Sequence, residues 1–307
     1  TAFRCIQYDE NTNASNDMMV HLINTTKAKK WRRRSLWLSV VVCTLVGTTP
    51  VNAQNAESTL SFFIPYSAKQ QPDLSSAVSA QLQAFGLTQI EIEPSDFWQL
   101  YLNAVRRGRE GLYWAAPHFA AWLIHQHQFK PIVRLEQPLE YFIIARREDF
   151  DVFELSDLAN RRLCTHHALN LDFLFASDTF KTRQENPERA VTWDIRAKLE
   201  NNDERCDALV VSNTVWNSLA EQSPNPWIKL KSSAEFLNYG LFAHPNIKPE
   251  VIFQVKRALT TQQTQQHLEP LWRDLSEDGR FVDAVVDDYP LNTTSHLAPF
   301  WGEIEEE

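Results

Sequence analysis

The stretch from Lys27 to Ala53 decides how much of this chain folds and in which compartment. Lys27, Lys29, Lys30, Arg32, Arg33 and Arg34 precede an apolar run from Leu36 to Val46, followed by Thr48-Thr49-Pro50 and the small-residue pattern Val51-Asn52-Ala53. That order is a bacterial secretory leader, with cleavage expected after Ala53. The apolar run holds about 11 residues, too few for a bilayer-spanning helix of roughly 20. A retained anchor is the competing reading, since Trp37 and Leu38 also favour a membrane. Cys43 does not suggest a lipid-attachment site, because Val42 stands before it where a small residue is wanted.

The methionines are Met18 and Met19, and a leader starts at or near the first translated residue. The expectation is that synthesis begins at one of them and that Thr1 to Asp17 is upstream sequence translated by mistake. The exported part, Gln54 to Glu307, is long enough for one large domain or two lobes of ordinary size. Of the 30 Lys+Arg and 39 Asp+Glu, seven and three precede Gln54, so the exported part carries 23 − 36 = −13 formal charges. Such a balance argues against nucleic acid and anionic membrane surfaces as partners. It leaves open a small anionic ligand held by local donors. Cys5 and Cys43 leave with the discarded part, so Cys164 and Cys206 remain. In an oxidising periplasm they could pair; two small buried hydrophobes are the alternative. No zinc-type cysteine spacing is present.

Strand and helix patterns alternate. Leu60 to Ile64 reads as a buried strand stopped by Pro65, and Leu74 to Phe85 has helical spacing up to Gly86. Gln89 to Ile92 alternates as a strand. Ser95 offers a helix N-cap before Phe97, Leu100, Tyr101, Ala104 and Val105, and Gly108 stops that helix. Strands are also expected at Gly111–Trp114, Pro131–Val133, Tyr141–Ala145, Arg162–Cys164, Asp207–Val211 and Tyr239–Ala243. Phe119, Trp122 and Leu123 mark one helix, Leu155–Leu158 begins a helical turn, and Pro249 opens a helix with Val251, Ile252, Val255 and Leu259. The alternation indicates an α/β fold with largely parallel sheets.

In this order the segments resemble the phosphate/phosphonate-type periplasmic solute-binding proteins of ABC transporters. The likeness rests on Ser95–Trp98 through Arg107–Pro117 and on Phe153–Cys164, which is similar to the family's Leu-x-Asp-Leu-x-Gly-Lys lead-in to its second lobe. It rests further on Cys206–Ser212, on His244–Pro249, and on Asp287-Asp288-Tyr289. The resemblance implies a two-lobed α/β fold of the type II periplasmic binding protein class, with mostly parallel sheets. Residues 54–140 and 242–307 would build lobe one and 141–241 lobe two, after a discarded 1–53. Tyr141–Ala145 and Tyr239–Ala243 would be hinge strands.

The family opens a helix after the Arg162–Cys164 strand with Ser, Thr and Gly, whose hydroxyls and free N–H groups hold a phosphate or phosphonate. Here the run is Thr165-His166-His167-Ala168-Leu169-Asn170. Thr165 and Asn170 can still donate, whereas two histidines replace the Ser/Thr cluster and the glycine. These residues are read as ligand contacts, with polar side chains on a solvated helix start as the competing account. Tyr66 follows the first strand where the family lines its cleft, and Trp114 ends the Gly111 strand; both can stack on a ligand or pack in the core. Ser212 and Tyr239 complete the candidate ligand-binding set. His125-Gln126-His127 is a poor chelate, because residues two apart on a helix do not share a face.

No P-loop, dinucleotide fingerprint, Gly-x-Ser-x-Gly elbow or His-Glu-x-x-His occurs, so no catalysis, metal or cofactor is expected. The expectation is a monomeric periplasmic receptor that captures a small solute, with a phosphate- or phosphonate-like anion among the candidates, for an ABC permease. A ligand-sensing module that signals to a separate membrane partner is the alternative.

Overall fold

The computed structural model describes residues 59–65, 72–94, 98–146, 152–181, 186–191, 199, 206–222, 224, 226–261 and 268–302. The leader, the upstream segment, Tyr66 and Ser95 lie outside the described residues. Among the described residues no helix is long and apolar enough to cross a membrane.

Continuous apolar runs become strands buried on both faces. Strands β3 (Leu112–Ala115), β8 (Ala208–Ser212) and β10 (Gly240–Ala243) are buried along their whole length. That is the pattern of a sheet covered by helices on both sides. The helices alternate with the strands as their punctuation dictates. Helix α1 (Pro72–Ala84) is followed by Gly86 at φ 85°, and α2 (Trp98–Arg107) by Gly108 at φ 57°. Helix α3 (Pro117–His127) has proline in its first turn, where the missing N–H costs nothing, and closes on Gln128 in the left-handed region.

Two sheets result. The first runs β11 (Phe281–Asp283), β4 (Lys130–Leu135), β10, β3, β1 (Leu60–Ile64), β2 (Ile90–Pro94). The second runs β7 (Glu188–Val191), β6 (Arg162–Thr165), β8, β5 (Tyr141–Arg146), β9 (Trp227–Ser232). The sheets are mixed rather than mostly parallel. The β1–β2, β1–β3, β6–β7 and β6–β8 pairs are parallel, whereas β10 and β5 each run against both of their neighbours. The reason is connectivity: β5 and β10 are the strands the chain enters on passing from one sheet to the other, and each is inserted in reverse. The two segments expected as hinge strands are thus internal strands of opposite sheets. The crossings precede them, at 136–140 and 233–239, where Leu139 and Phe236 exchange backbone hydrogen bonds of 2.9 and 2.8 Å.

One apolar core runs through both sheets, from Phe62 and Trp114 to Ile143 and Leu163. Alternate residues of β5, Phe142 and Ile144, join a smaller cluster on the outer face of the second sheet with Leu209, Val211 and Trp227. Cys164 lies in that cluster and forms a disulfide with Cys206, with 5.7 Å between the Cα atoms. The pairing resolves the alternative left open by cysteine usage. At Gly240 the backbones approach so closely that a Cβ would meet the Val133 carbonyl oxygen at 2.8 Å.

Candidate functional site

Thr165 ends strand β6 of the second sheet, and the chain then turns through His166–Asn170 into α4 (Leu171–Phe180). Thr165 is fully buried, and its hydroxyl donates to the His166 carbonyl at 3.0 Å. Asn170 sits at the N-cap position but makes no side-chain cap bond. The carboxylate that serves this helix start is Asp172, which is 1% exposed. Its Oδ2 accepts from the His166 backbone N–H at 2.7 Å and from His166 Nδ1 at 2.9 Å. A negative charge in the first helical turn is favoured by the helix dipole. Leu169 adopts φ 72°, in the left-handed region that a residue with a bulky side chain rarely enters.

Two carbonyls of the loop are taken by donors from the helices that cover the first sheet. Trp98 Nε1 of α2 donates to Ala168 O at 2.7 Å, and His118 Nε2 of α3 donates to Leu169 O at 2.8 Å. Because a carbonyl can only accept, His118 carries its proton on Nε2 and presents Nδ1 as a bare acceptor, buried and without a hydrogen-bond partner among the described residues. Burial lowers the His118 pKa to about 3, against a smaller raising effect of the Leu169 carbonyl. His167 lies 6.5 Å from the Trp98 ring, and burial, reinforced by His166, lowers its pKa to about 4. Both rings are neutral at pH 7.

The remaining sequence candidates occupy two other places. Ser212 caps α5 (Asn213–Ala220): its Oγ accepts from Val215 N at 3.3 Å and donates to Asp274 O at 2.6 Å. Nearby, Asn217 donates to Glu277 Oε1 at 2.6 Å, so the start of α5 is tied to residues that follow α7 (Glu269–Trp272). Trp114 and Tyr239 come together, with ring centroids 6.1 Å apart, and Phe281 lies 5.9 Å from Trp114. Trp114 has no solvent exposure, because β3 is covered on both faces. The structure thus brings Thr165, His166, His167 and Asn170 into one loop and Trp114 and Tyr239 into another cluster, while the Ser212 hydroxyl is engaged with Asp274 O and Val215 N. His125 and His127 bond separately to the carbonyls of Tyr289 and Arg106.

Beside the loop is a cavity of about 480 Å³ that none of the sequence candidates lines. Leu171, Leu174, Phe175, Asp178 and Thr179 of α4 form one wall. Lys231, Ser232, Ser233, Ala234 and Phe236 bring in the end of β9 and a crossing segment, and His296 completes it. The signal available in the sequence was weak. Leu171, Leu174 and Asp178 share a helical face, and Lys231-Ser232-Ser233 is a polar strand exit.

A family model described as "ABC transporter, phosphonate, periplasmic substrate-binding protein" matches residues 63–289. The chain belongs to that family. Members bind small solutes and work with the permease of an ABC transporter; the family is one of binding proteins, not enzymes. Among solved structures the chain is similar to PhnD1 of Prochlorococcus marinus in complex with methylphosphonate, at 13% identity and a TM-score of 0.59, covering 79% of this chain and 98% of that one. It is similar to XAC2383 of Xanthomonas citri bound to ATP, at 14% identity and a TM-score of 0.56, covering 81% and 100%. It also resembles MatC of Rhodopseudomonas palustris with bound malate, at 14% identity and a TM-score of 0.52, covering 80% and 98%. At these identities the likeness establishes the fold. No curated protein matches the chain in sequence.

Proposed function

We propose that this solute-binding protein is exported, loses its leader after Ala53, and works in the periplasm as a monomeric receptor that delivers its solute to an ABC permease. Residues 54–140 and 242–307 form one lobe and 141–241 the other, closing about the crossings at 136–140 and 233–239. The observation that carries this reading is the pair of hydrogen bonds from Trp98 and His118 to the Ala168 and Leu169 carbonyls. They join the two halves through a loop at a strand end, where a hinge motion makes and breaks them. A solute that contacts both halves shifts the population toward the joined state. The relatives carry methylphosphonate, ATP and malate, so fold alone does not dictate the solute.

A thermal-shift screen against a broad solute library tests the role. A ligand at a hundred times its Kd adds about 2.7 kcal/mol to the folded state, which for a chain of this size raises Tm by about 5–11 °C. No shift with any solute, in protein shown to be folded, overturns the proposal. A sensing role is the second reading, favoured by the departure of Thr165–Asn170 from the family's Ser/Thr run. Neighbouring permease and ATPase genes support transport, and a neighbouring kinase or cyclase gene supports sensing.

A further inference from the structure

Taking the solute-binding role as given, we infer that the cavity between α4 and the end of β9 is the solute site. Its solute is a small zwitterion with an apolar body, not a phosphoryl anion held at the start of α4. Two observations carry this, one negative and one positive. The start of α4 already has its anion, because the buried Asp172 carboxylate accepts from both the backbone and the ring of His166. The Thr165 hydroxyl donates inward to a carbonyl, and the Ala168 and Leu169 carbonyls are covered by Trp98 and His118. A phosphonate arriving there meets a fixed carboxylate where the family offers hydroxyls.

The positive observation is the charge pattern of the cavity. Asp178 on α4 and Lys231 on β9 both line it, and neither side chain has an ion-pair or hydrogen-bond partner among the described residues. Opposite charges within reach of one another pair directly; two that share a cavity unpaired fit a ligand that carries both signs. An ammonium group meets Asp178, and a carboxylate meets Lys231 with the Ser232 hydroxyl beside it. Leu171, Leu174, Phe175 and Phe236 supply the apolar wall for a side chain. The volume of about 480 Å³ falls within the range of small-molecule sites.

Isothermal titration calorimetry of the full chain separates the possibilities. The probes are leucine, methionine and phenylalanine, their N-acetyl and amide derivatives, methylphosphonate and inorganic phosphate. The expected result is binding of at least one free amino acid, weakened tenfold or more by either derivatisation and unmatched by methylphosphonate or phosphate. Asp178→Asn should remove the penalty for N-acetylation, and Lys231→Gln the penalty for amidation. Both side chains are exposed, so unchanged melting temperatures verify that the variants fold. Phosphonate or phosphate binding that survives both substitutions overturns the inference, as does amino-acid binding indifferent to them. If none of the amino acids binds while the broad screen finds another solute, the zwitterion assignment falls and the receptor role stands. If nothing in either set binds, both fall.

Discussion

Removing the Cys164–Cys206 bridge should cost the folded state several kcal/mol. The cysteines are 42 residues apart in sequence. In the chain-entropy treatment, closing a loop of that length lowers the entropy of the unfolded chain by about 13 cal/mol/K, or roughly 4 kcal/mol at 25 °C. The appropriate variant is Cys164→Ala/Cys206→Ala rather than serine, because Cys164 is 2% exposed among Phe142, Leu209 and Val211, where a hydroxyl would be buried. The lost sulfur contacts add a smaller packing term of the same sign. At about 2–4 °C per kcal/mol for a chain of this size, Tm should fall by roughly 8–16 °C. Urea unfolding followed by tryptophan fluorescence, with and without dithiothreitol, isolates the bridge. The wild-type midpoint should drop on reduction to near that of the variant, and the variant should ignore the reductant. A loss below about 1 kcal/mol, or an equal response of the variant to reductant, refutes the reasoning.

Acid should destabilise the protein through His118. Its folded pKa of about 3 lies below the 6.5 of the free imidazole, so the unfolded chain takes up a proton that the folded one refuses. This contribution is fully present above pH 6.5 and is lost as the pH falls toward 3, amounting to about 3 kcal/mol by pH 4.5. Urea midpoints of His118→Gln should therefore fall less steeply than those of wild type between pH 6.5 and 4.5; parallel curves would dispose of the idea. Asp172→Ala leaves two His166 donors without their acceptor and should cost about 2–3 kcal/mol by urea unfolding, whereas Asp172→Asn, which keeps an acceptor, should cost less. Ser212→Ala removes the α5 cap and the bond to Asp274, a loss of about 1–2 kcal/mol measurable by the same titration.

The elements were legible because this sequence punctuates them. Gly86 and Gly108 close α1 and α2 at positive φ, and prolines open α3 and α6 (Pro249–Thr260), so the strand–helix order could be read directly. Strand direction was not legible, since nothing in Tyr141–Arg146 or Gly240–Ala243 marks a strand inserted in reverse. The fate of Trp114 was hidden for a related reason. Side-chain alternation distinguishes faces only when one face is wet, and every residue of β3 is buried. The cysteine pairing needed the parallel β6–β8 register, which sets Cys164 beside Leu209, three residues beyond Cys206. Asp178, Lys231 and His296 come from three separate stretches of sequence, and only the closed fold brings them to one cavity.

Family membership and local chemistry pull apart at the start of α4. A helix N-terminus attracts an anion by about 0.3–2 kcal/mol, depending on burial. A second anion placed roughly 4 Å from the Asp172 carboxylate is repelled by about 4 kcal/mol at an effective dielectric of 20. His166 gives both its Nδ1 and its backbone N–H to Asp172. The dipole at the start of α4 is satisfied from within the chain, since Asp172 is 1% exposed and has two donors. Such an arrangement also locks the loop that offers the Ala168 and Leu169 carbonyls to Trp98 and His118. The Asp172 carboxylate and the Trp98 and His118 bonds thus occupy different groups of one loop, so that a substitution at Asp172 and one at His118 should act on separate contacts.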